Sequence, residues 1–131
     1  MRVRRAVIDA IVEHARRDRP LECCGLLIGT GDEVSDSRSA RNAKASAVVY
    51  LIDPSDHFEA IRHARAQGLA VVGAYHSHPS SPAQPSETDL REANDPDFVH
   101  VIVSLARAEP QVAAFRIGAG RAISLRLAIV D

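Results

Sequence analysis

An α/β fold, one domain with a mixed β-sheet flanked by helices, is what this sequence predicts. Three observations carry the prediction. Residues 3–17 place Val3, Val7, Ile8, Ile11, Val12 and Ala15 at helical spacing. Short apolar runs bounded by glycine, "CCGLLIG" and "LAVVGAYH", read as buried strands. Helical and strand patterns then alternate along the chain, which implies helices packed on a sheet.

The elements follow in order. The first helix ends at Pro20. Cys23–Gly29 is a strand closed by glycine, and "TGDE" is a turn. Residues 34–42 and 45–52 are read as two strands forming a hairpin, since "VVYLI" is rich in β-formers. A second helix follows, with Ser55 as N-cap beside Pro54, Phe58, Ile61 and Ala64 on its apolar side, and Gly68 at its end. The strand "LAVVGAYH" leads into "HSHPSSPAQPSETD", and residues 87–94 form a short helix broken by "NDPD". "FVHVIVSL", "QVAAFRIG" and "AISLRLAIV" are three further strands. With no internal repeat and no linker, residues 1–131 read as one domain.

Composition bounds the function. Hydrophobic residues at 46% and charged residues at 25% are ordinary for a soluble globular protein. Aromatic residues are only 4%, so the core is aliphatic and few rings exist to stack on bases. A formal net charge of −1 argues against a nucleic-acid or anionic-membrane partner. Arginines cluster between Arg2 and Arg19 but alternate with Asp9, Glu13 and Asp18, as on a solvated helix face. No apolar stretch is long enough for a membrane helix, and the N-terminus has no apolar signal region. Cys23 and Cys24 are adjacent and cannot staple a fold, so a cytoplasmic setting with free thiols is expected. They read as small core residues, with a redox pair or an extra metal ligand as the alternatives.

The stretch from His76 to Asp89 has two readings. Ser86 and Asp89 fit a capping box, which makes the segment a loop entering a helix. Alternatively it is a metal site. Residues i and i+2 of a strand face one side, so His76 and His78 can aim two imidazoles at one point. Asp89, in the first turn of a helix, can return there. Two histidines, one carboxylate and an open fourth position form the ligand set of catalytic zinc, whereas structural zinc sites hold four protein ligands. Hydrolysis also needs a general base, and Glu22, at the start of the "ECCGLLIG" strand, is the candidate. His57 and His63 read as surface residues, His100 as a core histidine with a partner, and Tyr75 as a packing residue on the face opposite His76.

"ECCGLLIG" together with "HSHPSSPAQPSETD" resembles the JAMM (MPN+) metalloprotease family. Its pattern is Glu-x-x-Gly, a distant His-x-His-Pro, seven residues to a serine, and Asp three later. Every position is filled here, and the likeness, greatest to the bacterial branch, covers nearly the whole chain. The resemblance implies a JAMM/MPN, cytidine-deaminase-like layout. It implies that His76, His78 and Asp89 hold Zn2+ with water in the fourth position. It implies Glu22 as general base on that water and Ser86 as a hydrogen-bond donor to the oxyanion, worth about 3 kcal/mol. Asp89 is not expected to serve metal and cap fully; the metal should win.

The resemblance further implies a zinc metalloprotease or isopeptidase that cleaves an amide at the C-terminal tail of a ubiquitin-like protein. For so small a chain the expected substrate is a sulfur-carrier protein ending in Gly-Gly, its tail laid along a sheet edge. Homo-oligomerisation is left open. A different class also fits: a non-catalytic, zinc-stabilised binding module for a carrier or partner subunit. A zinc deaminase does not, because the Pro-Cys-x-x-Cys part of its signature is absent.

Overall fold

The computed structural model describes residues 1–131. Its elements are β1 (Arg2–Arg4), α1 (Arg5–Asp18), β2 (Cys24–Thr30), β3 (Glu33–Ala40), α2 (Pro54–Ala66), β4 (Ala70–His78), α3 (Glu87–Glu92), β5 (Val99–Ser104), β6 (Gln111–Gly118), β7 (Arg121–Leu125) and β8 (Ala128–Val130). The eight strands form one sheet in the order β7-β6-β5-β4-β2-β3-β1-β8. The pairs β1–β3, β1–β8 and β4–β5 are parallel and the other four antiparallel, so the sheet is mixed as expected. No helix is long and apolar enough to cross a membrane.

The sheet is strongly curled. β7 and β8 lie at opposite edges, yet only Arg126 and Leu127 separate them. Two residues reach no more than about 10 Å from Leu125 to Ala128, so the two edges must approach each other. Leu125 and Leu127 pack against the main core at that seam. The expected single strand over 122–130 is thus two strands, because the chain must change edge to bury both leucines.

The two faces of the sheet have different cores. Val7, Ile11 and Ala15 of α1 pack with Cys23, Leu27, Tyr75, Val99 and Val101 on one face. Ala60 of α2 packs with Leu26 and Ala74 on the other, where Leu90 and Ala93 also cover Ile102, Phe115 and Ile117. Gly25 pairs with Tyr75 across β2 and β4. A Cβ there would collide with the Tyr75 ring and the Arg38 carbonyl, so only glycine lets the ring lie flat on β2. The Tyr75 hydroxyl meets His14 Nδ1 of α1 at 2.7 Å, both groups being buried, and His14 Nε2 lies 3.1 Å from Asp18. Tyr75→Phe keeps the shape and removes one partner. It should lower stability by about 1–3 kcal/mol, read from chemical denaturation of metal-free protein.

Four local expectations need correction. Helix α1 starts at Arg5, and Val3 instead belongs to β1, buried between β3 and β8. Residues 45–52 are not a strand; only an isolated bridge joins Asn42 to Ile52. The β-formers there are overruled by side chains that satisfy the backbone locally. Asn42 Nδ2 donates to the Val49 carbonyl at 3.1 Å, its Oδ1 accepts from Lys44 and Leu51 N–H at 3.0 Å, and Ser46 Oγ accepts from Val48 and Val49 N–H. The N-cap of α2 is Asp53, not Ser55; its carboxylate accepts from the N–H groups of Ser55 and Asp56, leaving Pro54 at the first helical turn. Phe58, assigned to the buried side of α2, is 65% exposed, and Ala60 and Ala64 are the residues buried.

Candidate metal centre and active site

The site forms at the ends of β2 and β4, on the face covered by α2 and α3. The antiparallel register sets Cys24 opposite His76, and backbone and side-chain bonds join Cys23 to Ser77. One step further, Glu22 falls opposite His78. Strand alternation then puts Glu22, Cys24, His76 and His78 on one face and Cys23, Ser77 and Tyr75 on the other. Both β2 and β4 are paired on both sides, and the free sheet edges are β7 and β8. An extended tail therefore cannot add as a strand directly beside β2 or β4.

His76, His78 and Asp89 converge. His76 Nε2 and His78 Nε2 are 3.1 Å apart, and Asp89 Oδ2 lies 3.1 Å from the first and 3.2 Å from the second. These are the three side chains whose donor atoms cluster as for a metal ion. Four-coordinate zinc with bonds of about 2.0–2.1 Å has donor atoms about 3.3–3.4 Å apart along each tetrahedral edge. The triangle is close to one face of that tetrahedron. Its chemistry fits too. The Nδ1–H of His78 donates to the Pro82 carbonyl at 2.8 Å, which leaves a lone pair on Nε2 of the neutral ring, directed at the centre of the cluster.

Electrostatics supports the same arrangement. Burial opposes the charged form of each group. It wins at His76, whose imidazole is held below its ordinary value. At His78, burial pulls the same way, but Asp89 and the Pro82 carbonyl outweigh it and raise the pKa. Burial would push Asp89 up, yet its bonds to both imidazoles and to the Ser86 N–H hold it far below the usual carboxylate range. Asp89 thus stays a carboxylate facing the two imidazoles.

Ser86 and Asp89 do form the capping box, and it coexists with the cluster. Ser86 Oγ accepts from Asp89 N–H at 3.0 Å, and Asp89 Oδ2 accepts from Ser86 N–H at 2.9 Å. The same Oδ2 faces both histidines, so cap and cluster share one carboxylate oxygen. Ser86 Oγ uses a lone pair in the cap and keeps its proton.

Glu22 is 4% exposed, and its Oε1 is buried without a partner. Burial pushes its carboxyl up to about 7, with His78 opposing and Asp89 assisting. Its backbone is pinned from both sides: Glu22 N–H donates to Ser46 O at 2.8 Å, and Asn42 Nδ2 donates to Glu22 O at 3.1 Å. Asn42 thus anchors the 43–51 loop and fixes Glu22, a role only the asparagine's four hydrogen bonds could disclose. Tyr50, from the same loop, stacks on His76 with centroids 4.3 Å apart and planes 19° apart. Sequence reading placed it in a strand and missed it.

Cys23 and Cys24 are fully buried on opposite faces, and burial pushes their thiols up to about 11 and about 12. Cys24 Sγ rests against the Arg41 carbonyl at 3.5 Å, outside the His76–His78–Asp89 cluster. Both thiols sit in the core, and neither belongs to the His76–His78–Asp89 donor cluster. His63 pairs with Asp36 at 3.1 Å, away from the site. His57 lines a cleft of about 500 Å³ that opens beside Asp89 between the 43–52 loop and α3. A second cleft, of about 610 Å³, is lined by Glu22, Leu21, Arg41 and Asn42.

Fold and site together define an α/β domain built around a metal-type His-His-Asp cluster with an adjacent buried glutamate. The comparisons with known proteins agree. The model for "Prokaryotic homologs of the JAB domain" matches residues 4–118. A CysO-cysteine peptidase of Mycobacterium tuberculosis is 36% identical over 104 residues, covering 78% of this chain and 71% of the relative. A desampylase of Haloferax volcanii is 37% identical over 103 residues, covering 73% and 74%. The solution structure of protein DSY2949 from Desulfitobacterium hafniense superposes with a TM-score of 0.89 at 31% identity, covering 100% of this chain and 94% of that one. The chain belongs to the prokaryotic JAB-domain family, the JAMM/MPN lineage that its motifs resemble.

Proposed function

We propose that the chain is a zinc-dependent peptidase that hydrolyses the bond after the C-terminal Gly-Gly of a ubiquitin-like, sulfur-carrier protein. His76, His78 and Asp89 hold the zinc, Glu22 is the general base and Ser86 the oxyanion donor. The observation that carries the reading is the unpartnered, buried Glu22 carboxylate opposite His78, beside a donor triangle of tetrahedral size. A structural metal site needs no such carboxylate. The names of the relatives support the substrate class. Bound zinc supplies Lewis-acid polarisation and lowers the pKa of the water it holds to about 7.

The residues divide the work as follows. Glu22, buried opposite His78, takes a proton from the attacking water and later returns it to the leaving amine. Burial raises its proton affinity in the metal-free protein, the direction a base that must also return its proton requires. Ser86 Oγ–H donates to the scissile carbonyl oxygen as that oxygen gains charge. The capping box holds the hydroxyl still, so little reorganisation is needed. Tyr50 covers the His76 ring and excludes water from it.

The test is incubation of the zinc-loaded protein with ubiquitin-like carriers extended beyond Gly-Gly, read by mass spectrometry. Cleavage after the second glycine is expected, lost on chelation and restored by zinc. No mass loss at any Gly-Gly junction would count against the reading. Ser86→Ala should lower kcat about 10²–10³-fold while costing about 1 kcal/mol of stability through the lost cap. A variant with full kcat and only the stability loss would leave Ser86 as a cap alone.

A further inference from the structure

His100 does not behave as a core histidine with a partner. Its Nε2 is buried and has no hydrogen-bond partner, while the ring lines the cleft beside Asp89 together with Tyr50, Leu51 and Ala93. The ring is held in place by the edge of Phe98, 5.9 Å away. A buried polar atom left unpaired costs about 1–3 kcal/mol, so this atom calls for a partner that arrives through the cleft. The parallel register sets His100 beside Ala74 and Ile102 beside His76. His100 therefore faces the same side as His76, two residues back along the neighbouring strand. Strand rise and spacing put the two about 8 Å apart, the length of two to three extended residues.

The two clefts can be assigned to the two halves of a substrate. This step rests on the peptidase reading. The residue that returns a proton to the leaving amine must stand on the amine's side, and Glu22 lines the cleft of Leu21, Arg41 and Asn42. The acyl half, the carrier tail, then occupies the cleft of Tyr50 and His100. We propose that His100 Nε2 hydrogen-bonds a peptide group of that tail two to three residues before the scissile bond. His100 is then a specificity-determining residue that selects an extended polypeptide over a substrate with no peptide group upstream of the scissile residue. Either tautomer can serve, since a peptide group offers both an N–H and a carbonyl.

The test uses zinc-loaded protein carrying Glu22→Gln, titrated calorimetrically with a hexapeptide ending in Gly-Gly. Adding His100→Phe should weaken binding about five- to tenfold, and His100→Gln, which keeps a polar atom, should restore it to within about twofold. In the Glu22 background, His100→Phe should lower kcat/KM by the same factor on a hexapeptide anilide and leave glycine anilide, which has no upstream peptide group, unchanged. Unchanged hexapeptide affinity, no hexapeptide binding to the parent protein, or equal losses on long and short substrates would each overturn the proposal. If wild-type protein cleaves nothing, the peptidase reading falls, and the titration by itself decides His100.

Discussion

Glu22→Gln should abolish nearly all turnover while leaving the metal and the fold in place. Gln has the same shape and cannot accept the proton, so kcat should fall by about 10²–10⁴-fold. Zinc content should stay at that of the wild type, because the cluster atoms belong to His76, His78 and Asp89. Stability gives an independent readout. In metal-free protein burial raises the Glu22 carboxyl from 4.5 to about 7. The folded state then holds a proton that the unfolded chain releases, and this contribution to stability is lost as pH rises through that window. The Gln variant should flatten the fall, and metal-free Glu22→Gln should melt no lower than wild type at pH 8. Unchanged cleavage in the variant would remove Glu22 from the mechanism. Zinc bound with no cleavage by wild-type protein would favour the non-catalytic binding module.

Asp89→Asn separates the metal from the helix cap. The Asn oxygen can still accept from Ser86 N–H, so the start of α3 survives and metal-free stability at pH 8 should change by less than about 1 kcal/mol. The negative charge beside two imidazoles is lost, and with it the group that draws a cation into the cluster. Zinc affinity, measured by competition with a chromophoric chelator, should fall by more than the roughly 10–100-fold typical of losing an outer partner of a ligand. Retained affinity would make Asp89 a capping residue and nothing more.

Much of the fold could be read because it rests on short-range rules. The α1 stripe, the β2 and β4 runs and the capping box are set by periodicity and by side chains a few residues apart. The misreadings share a cause. "VVYLI" has strand propensity, but Asn42 and Ser46 satisfy its backbone first. Phe58 has the spacing of a core residue, but alanines alone fit where α2 meets the sheet. Whether "AISLRLAIV" is one strand or two depends on the curl of the sheet, which no local pattern encodes.

By itself the sequence determined the donor set. His76 and His78 share a strand face by parity, Asp89 sits a fixed spacer away, and Glu22 completes a family pattern. The tertiary structure decided what surrounds those atoms. The β2–β4 register brings Glu22 opposite His78, and the loop anchored by Asn42 lays Tyr50 on His76. The β4–β5 register leaves His100 unpaired in the cleft. The physical reason is that ligand spacing follows the repeat of a single strand or helix turn. Burial, register and an unsatisfied polar atom are properties of strands brought together from distant parts of the chain.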